Sequence, residues 1–102
     1  MPDIFEPTQI KNIPLANRCV RSATWTGMAT DKGEVTDRLS GLMCRLAQGK
    51  VGLIISGHAY VQPAGQAGPW QLGAYSDDLL PGLTHMVQAV HEAGGRIVMQ
   101  LA

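Results

Sequence analysis

The sequence predicts an α/β fold, an N-terminal hairpin followed by a β-α-β-α-β run, and three observations point to it. Short β-compatible runs alternate with two amphipathic helical segments. Each helix is joined to the next strand by a glycine-containing pair, Gly49-Lys50 and Gly94-Gly95. The connections from strand to helix are long, about ten residues or more where 2–6 is usual.

The hairpin comes from Thr8-Gln9-Ile10 and Ile13-Pro14-Leu15, which flank Lys11-Asn12; an Asn at a two-residue reversal suits the positive φ that tight turns demand. Arg18-Cys19-Val20-Arg21-Ser22-Ala23-Thr24-Trp25 is rich in β-compatible residues and reads as the first strand of the main sheet, ending at a loop from Thr26 to Val35. Thr36 is placed to cap a helix whose apolar face is Leu39, Leu42, Met43, Leu46 and Ala47, with Gly49 supplying the left-handed residue that ends it. Val51-Gly52-Leu53-Ile54-Ile55 follows as a continuous apolar run, the pattern of a strand covered on both faces. Gln62 to Tyr75, with its prolines and glycines, reads as a loop. Ser76-Asp77-Asp78 opens a separate turn before Pro81 begins the second helix, whose buried stripe is Leu79, Leu83, Met86, Val87 and Val90. Arg96 to Leu101 supplies the third strand.

Such alternation calls for a parallel sheet, as a closed barrel or an open doubly wound sheet. In both, ligands sit at the carboxyl ends of the strands, on the side of the long loops, where Trp25, Gly57, His58 and Gln100 fall. The glycine-rich phosphate motifs of nucleotide-binding open sheets are absent.

The chain has 102 residues, 45% of them apolar, and eight basic against eight acidic residues leave no net charge. Neither nucleic acid nor a membrane surface is an expected partner. The start, Met1-Pro2-Asp3-Ile4-Phe5-Glu6, lacks an export signal and no apolar run is long enough to span a bilayer, so a cytoplasmic protein is expected. Cys19 and Cys44 read as two buried thiols rather than a disulfide, and no metal-ligand spacing is present.

Several polar residues admit two readings. Ser22 to Gly27 can offer amides and a hydroxyl to a planar ligand, or be an ordinary strand end. Gln100 and Gln71 are amides in apolar surroundings, each open to a structural hydrogen bond or a ligand contact. His58 is a candidate proton donor or cofactor neighbour, but it lacks an orienting carboxylate in the sequence around it. Trp70 either packs onto a ligand or anchors its loop, and His85 and His91 read as solvated.

Taken together, Phe5-Glu6-Pro7, Leu15-Ala16-Asn17-Arg18, Val51 to Gly57, Leu72 to Asp77, Ala89 to Gly95 and Arg96 to Leu101 resemble, in order and spacing, the N-terminal part of old yellow enzyme family proteins. The resemblance covers the whole chain and is nearest to the branch of enoate and dienoyl-CoA reductases and NADH:flavin oxidoreductases. It implies the first part of a (β/α)8 TIM barrel, with residues 1–102 an incomplete FMN-binding domain, 1–17 the hairpin segment and 18–102 the first three strands and two helices. It further implies FMN as cofactor, NAD(P)H as reductant, and a small-molecule substrate such as an activated alkene. Ser22, Ala23, Thr24 and Trp25 match the segment against the flavin ring, Gly57 and His58 the end of the second strand beside it, and Gln100 the glutamine on its pyrimidine side. Ala23 and Trp25 stand where many relatives have Pro and Thr or Cys, and His58 replaces a small residue. The family's active-site His/Asn or His/His pair, its proton-donating tyrosine and its phosphate-binding loops are expected downstream of Ala102. Two other readings stand beside this one: a non-catalytic fragment that self-associates as a homo-oligomer, and a phosphate-binding barrel enzyme without flavin.

Overall fold

The computed structural model describes residues 3–102. Met1 and Pro2, the first two positions of the 1–17 segment and of the stretch read for an export signal, lie outside the described residues. Strands β1 (Thr8–Ile10) and β2 (Ile13–Leu15) form the antiparallel hairpin, with Thr8 opposite Leu15 and Ile10 opposite Ile13. Its left-handed residue is Lys11, at φ 52°, not Asn12. A two-residue reversal of the II′ kind needs positive φ only at its first central position, and that position is Lys11.

The main sheet has three parallel strands in the order β3 (Val20–Arg21), β4 (Leu53–Ile55) and β5 (Ile97–Val98), linked by α1 (Asp37–Gln48) and α2 (Leu80–Glu92). The two outer strands are much shorter than the β-compatible runs from Arg18 to Trp25 and from Arg96 to Leu101. Each is an edge with a single partner, so its length is set by how far that partner stays in register rather than by its own composition. Beyond the ladder, single parallel bridges join Ala59 to Leu101 and Tyr60 to Gly73.

Both helices begin as their residues dictate. Thr36 Oγ1 accepts the Leu39 N–H at 3.2 Å and donates to the Met28 carbonyl, tying α1 to the loop before it. Ser76 Oγ accepts the Asp78 N–H at 3.2 Å over a separate 3-10 turn, Asp77–Leu79, and Pro81 then stands in the first turn of α2. The end of α1 differs from expectation: Gly49 has φ −77° and the left-handed residue is Lys50, at φ 67°. Val51 N–H reaches back to the Leu46 carbonyl (3.2 Å), and the side chain of buried Asn17 donates to the Lys50 carbonyl at 2.6 Å, so the reversal is fixed one residue later. Gly94, at φ 85°, ends α2 as expected.

The core gathers Leu39, Met43 and Ala47 of α1, Met86 and Val90 of α2, and Ile54 of β4. Complete burial of a side chain such as Ile54 contributes about 1.5–3 kcal/mol relative to its exposed state. Val20, Ile54 and Val98 each stand on one strand of the main sheet. Val20 and Val98 are 50% and 40% exposed, but Ile54 is fully buried. Alternation accounts for the difference: Ile54 shares its face with its register partner Ile97, which packs on the core, whereas the Val20–Leu53 and Ile55–Val98 pairs lie on the opposite face. Along α2 an open apolar groove of ≈ 750 Å³ is lined by Leu80, Leu83, Val87 and Met99.

The long loops are held by their own bonds. In the loop after β4 a 3-10 turn forms at Pro63–Gly65 where only irregular chain was expected. Tyr60, 2% exposed, stacks on Tyr75 with ring centroids 5.2 Å apart, and Tyr75 Oη donates to the Lys32 carbonyl at 2.7 Å. Cys19 and Cys44 are free, half-buried thiols, and His85 and His91 are exposed. No helix among the described residues is long and apolar enough to cross a membrane.

Candidate functional site

Past Arg21 the chain leaves the sheet, and Ser22 to Trp25 runs across the carboxyl end of β4. Two features hold it there. The Arg21 guanidinium donates to the Ile55 carbonyl at 2.8 Å and to the Thr24 carbonyl at 3.3 Å. Gly57 packs against the same segment, where a β-carbon would meet the Thr24 carbonyl oxygen at 2.9 Å. Burial lowers the pKa of Arg21, and no neighbouring charge contributes to that shift.

Trp25 is 51% exposed, and its indole N–H donates to the Pro69 carbonyl at 3.3 Å. Gly27, at φ 66°, lets the backbone pass beside that ring, for a β-carbon there would lie 2.9 Å from the indole. Trp70 is 49% exposed, and its carbonyl accepts the Ala29 N–H at 3.1 Å. The two loops are thereby laced together, with Trp25, Gly57, His58 and Trp70 on the walls of one cleft. The space between those walls is ≈ 10 Å³, about enough for one water. A planar ligand has no room inside it.

Of the residues read from the sequence, the structure brings Trp25, Gly57 and His58 to this one cleft, with Ser22, Ala23 and Thr24 on the segment leading into it. Gln100 is on the neighbouring strand end: Val98 and Gln100 carbonyls accept from Ser56 and Ala59 N–H at 2.9 and 2.8 Å, bracketing Gly57 and His58. The reading of Gln100 as a buried amide is corrected, because it is exposed and its side chain makes no hydrogen bond among the described residues. Gln71, treated as its equal, is 1% exposed and satisfied at both ends. Its Oε1 accepts the Ala67 N–H at 2.7 Å and its Nε2 donates to the His58 carbonyl at 3.1 Å, which makes it a brace for the loop and for His58. The His58 ring itself has no hydrogen-bond partner among the described residues.

Sequence reasoning missed Arg21 as more than a strand residue. The available signal was a basic residue in the interior of a β-compatible run that leads to the ligand side of the sheet.

The arrangement fits a flat ligand rich in acceptors. Among the described residues, the backbone N–H groups of Ala23, Thr24, Trp25, Gly57 and His58 have no intramolecular acceptor. These donors line the ends of two adjacent strands, and the free amide of Gln100 stands at the third. Backbone donors beside aromatic and apolar walls are suited to a heteroaromatic ring that has carbonyl oxygens on its edge.

A family model described as the NADH:flavin oxidoreductase / NADH oxidase family matches residues 3–102. The chain is 34% identical over 101 residues to an NADH oxidase of Thermoanaerobacter brockii, an alignment covering 98% of this chain and 16% of that protein. It is 36% identical over 101 residues to an NADPH dehydrogenase of Halalkalibacterium halodurans, covering 97% of this chain and 30% of that protein. Among solved structures, an old yellow enzyme homologue from Zymomonas mobilis superposes with a TM-score of 0.90 at 29% identity, over 98% of this chain and 28% of its own. Morphinone reductase in complex with tetrahydroNAD gives 0.84 at 28% identity, over 99% of this chain and 27% of its own. The chain thus spans less than a third of the length of each.

Proposed function

The chain belongs to the NADH:flavin oxidoreductase / NADH oxidase family, that of old yellow enzyme, and from this premise we propose that it carries one part of an FMN site in an NAD(P)H-dependent oxidoreductase. Its three parallel strands and two helices are the first part of that family's (β/α)8 barrel. Within it, we assign residues 1–17 to a hairpin segment and 18–102 to the opening of the FMN-binding domain.

The observation that carries this reading is the row of N–H groups at Ala23, Thr24, Trp25, Gly57 and His58 that find no acceptor among the described residues, with the Gln100 amide, likewise unbonded there, beside them. In the proposed complex these amides hold the polar edge of the isoalloxazine, Gln100 pairs with its pyrimidine side, and Ser22 and Trp25 border the ring. Bound flavin supplies the hydride relay, from NAD(P)H to an activated alkene or another acceptor. The residues of this chain bind and orient the ring and limit its exposure to water. Proton donation to the acceptor falls to residues outside this stretch.

The test is the visible spectrum of a purified protein that carries this stretch within a closed barrel, followed by anaerobic addition of NADH or NADPH. An oxidised-flavin spectrum that bleaches with either nucleotide is expected. A colourless protein that binds no added FMN would remove the reading and leave a barrel enzyme without flavin.

A second reading applies to the 102-residue chain taken by itself. The exposed Val20, Val98 and Leu101 and the apolar groove along α2 favour a self-associating, non-catalytic unit.

A further inference from the structure

Resting on the flavin reading above, we infer that Arg21 is a positioning residue that opens the end of β3 for the cofactor, by occupying the carbonyl that would otherwise capture the Ala23 amide. The register supplies the argument. Val20 pairs with Leu53 and Arg21 with Ile54, and Leu53 N–H bonds to the Cys19 carbonyl at 3.1 Å. One step on, a continued parallel ladder would carry Ala23 N–H to the Ile55 carbonyl. That oxygen instead accepts Arg21 Nη1 at 2.8 Å, and β3 stops at Arg21.

The second arm of the guanidinium takes the Thr24 carbonyl at 3.3 Å, so one planar group bridges the strand that ends and the segment that departs from it. Gly57 lets that departing segment lie close. The consequence is the set of free amides at Ala23, Thr24 and Trp25. A methionine here could fill the same space yet leave the Ile55 carbonyl to the ladder, and a lysine, a point charge without the planar fork, would hold the two carbonyls less rigidly. Arg21 therefore acts on the flavin through the backbone it positions.

The experiment, in a protein that carries this stretch within a closed barrel, compares wild type, Arg21→Met and Arg21→Lys by amide hydrogen exchange over residues 22–26 without flavin, and by FMN titration and visible spectrum with it. In the wild type the amides at 23–25 exchange quickly, and in Arg21→Met the Ala23 amide becomes protected as the ladder extends. FMN affinity falls about tenfold or more in Arg21→Met. Arg21→Lys recovers only part of it, with a displaced flavin absorption band and an unchanged melting temperature. Unaltered exchange in Arg21→Met overturns the inference whether or not the protein binds flavin. Unaltered FMN affinity alongside raised protection overturns the cofactor role. Should Arg21→Met fail to fold, unchanged exchange, affinity and spectrum in Arg21→Lys are equally decisive against it. A wild type that binds no FMN defeats the flavin reading, while the exchange comparison still decides what Arg21 does to the backbone.

Discussion

Gly57 stands so near Thr24 that a β-carbon at position 57 would lie 2.9 Å from the Thr24 carbonyl oxygen. Backbone offers little room to yield, so Gly57→Ala must push the Ser22–Trp25 segment away from β4 or shift β4 itself. A destabilisation of about 1–3 kcal/mol is expected, the usual cost of overpacking. FMN affinity should drop with it, because the amides of two strand ends lose their common alignment. Chemical denaturation and a flavin titration on the same variant check both effects; full stability with normal affinity would mean that the approach is not tight in solution.

Gln100 and Gln71 are the same residue type in very different settings, and they should fail differently. Gln100 is exposed and makes no intramolecular hydrogen bond among the described residues, so Gln100→Ala should leave the melting temperature near that of the wild type. Its loss should fall on FMN, at about 1–3 kcal/mol, or roughly tenfold or more in affinity. Normal FMN affinity in this variant would exclude Gln100 from the site.

Gln71→Ala should do the reverse. It strips a partner from the Ala67 N–H and from the His58 carbonyl at a position that is 1% exposed. Ala67 is exposed and His58 half-buried, so water recovers part of the usual cost of about 1–3 kcal/mol for an unpaired group, and unfolding by urea should shift to a lower midpoint. An unchanged midpoint would show that the loop does not depend on this brace.

That contrast marks how far the sequence could be read. The two helices, the separate turn before Pro81 and the parallel order of the strands were legible because periodicity, caps and turn residues are local signals. The fate of the two glutamines was not, since burial and bonding partners depend on chain segments brought together only by folding. Strand length failed for a related reason. Thr24 and Trp25 are as β-compatible as Val20, but Arg21 and Gly57 divert the segment, and which backbone groups those two meet is decided only by folding. Of the candidate site, Trp25, Gly57 and His58 could be placed on one side of the sheet from strand direction alone, whereas the loop bond from Trp25 to Pro69 could not.

Tyr60 gives a pH prediction with a definite sign. Burial raises its pKa, and the neighbouring Tyr75 adds to the rise. A tyrosine in the unfolded chain ionises near about 10. Below that pH both states hold the proton and the stability from this group is fully present. As pH climbs, the unfolded state ionises first, and the contribution is lost through the folded pKa. Melting temperature should therefore fall at alkaline pH, and Tyr60→Phe should flatten that fall. An equally steep decline in the variant would assign it to other groups.

The last prediction concerns the 102-residue chain by itself. Its sheet has two open edges, at β3 and β5, each offering unpaired N–H and C=O groups that barrel closure would otherwise satisfy. Val20, Val98 and Leu101 are 50%, 40% and 62% exposed, and the groove along α2 adds Leu80 at 53%. Even a complete domain of this size buries only about 60–70% of its unfolded surface, and net stability is about 5–15 kcal/mol at best. With apolar surface and two strand edges left wet, association of copies is the available way to recover burial. The isolated chain should sediment at micromolar concentration as an oligomer or as a partly molten species, bind FMN weakly, and show no ene-reductase turnover. Replacing Leu80 and Leu101 with aspartate should shift the sedimentation toward monomer by charging the exposed apolar face. A compact wild-type monomer that holds FMN tightly would show instead that three strands and two helices are a sufficient unit, and that the exposed residues of this sheet need no cover.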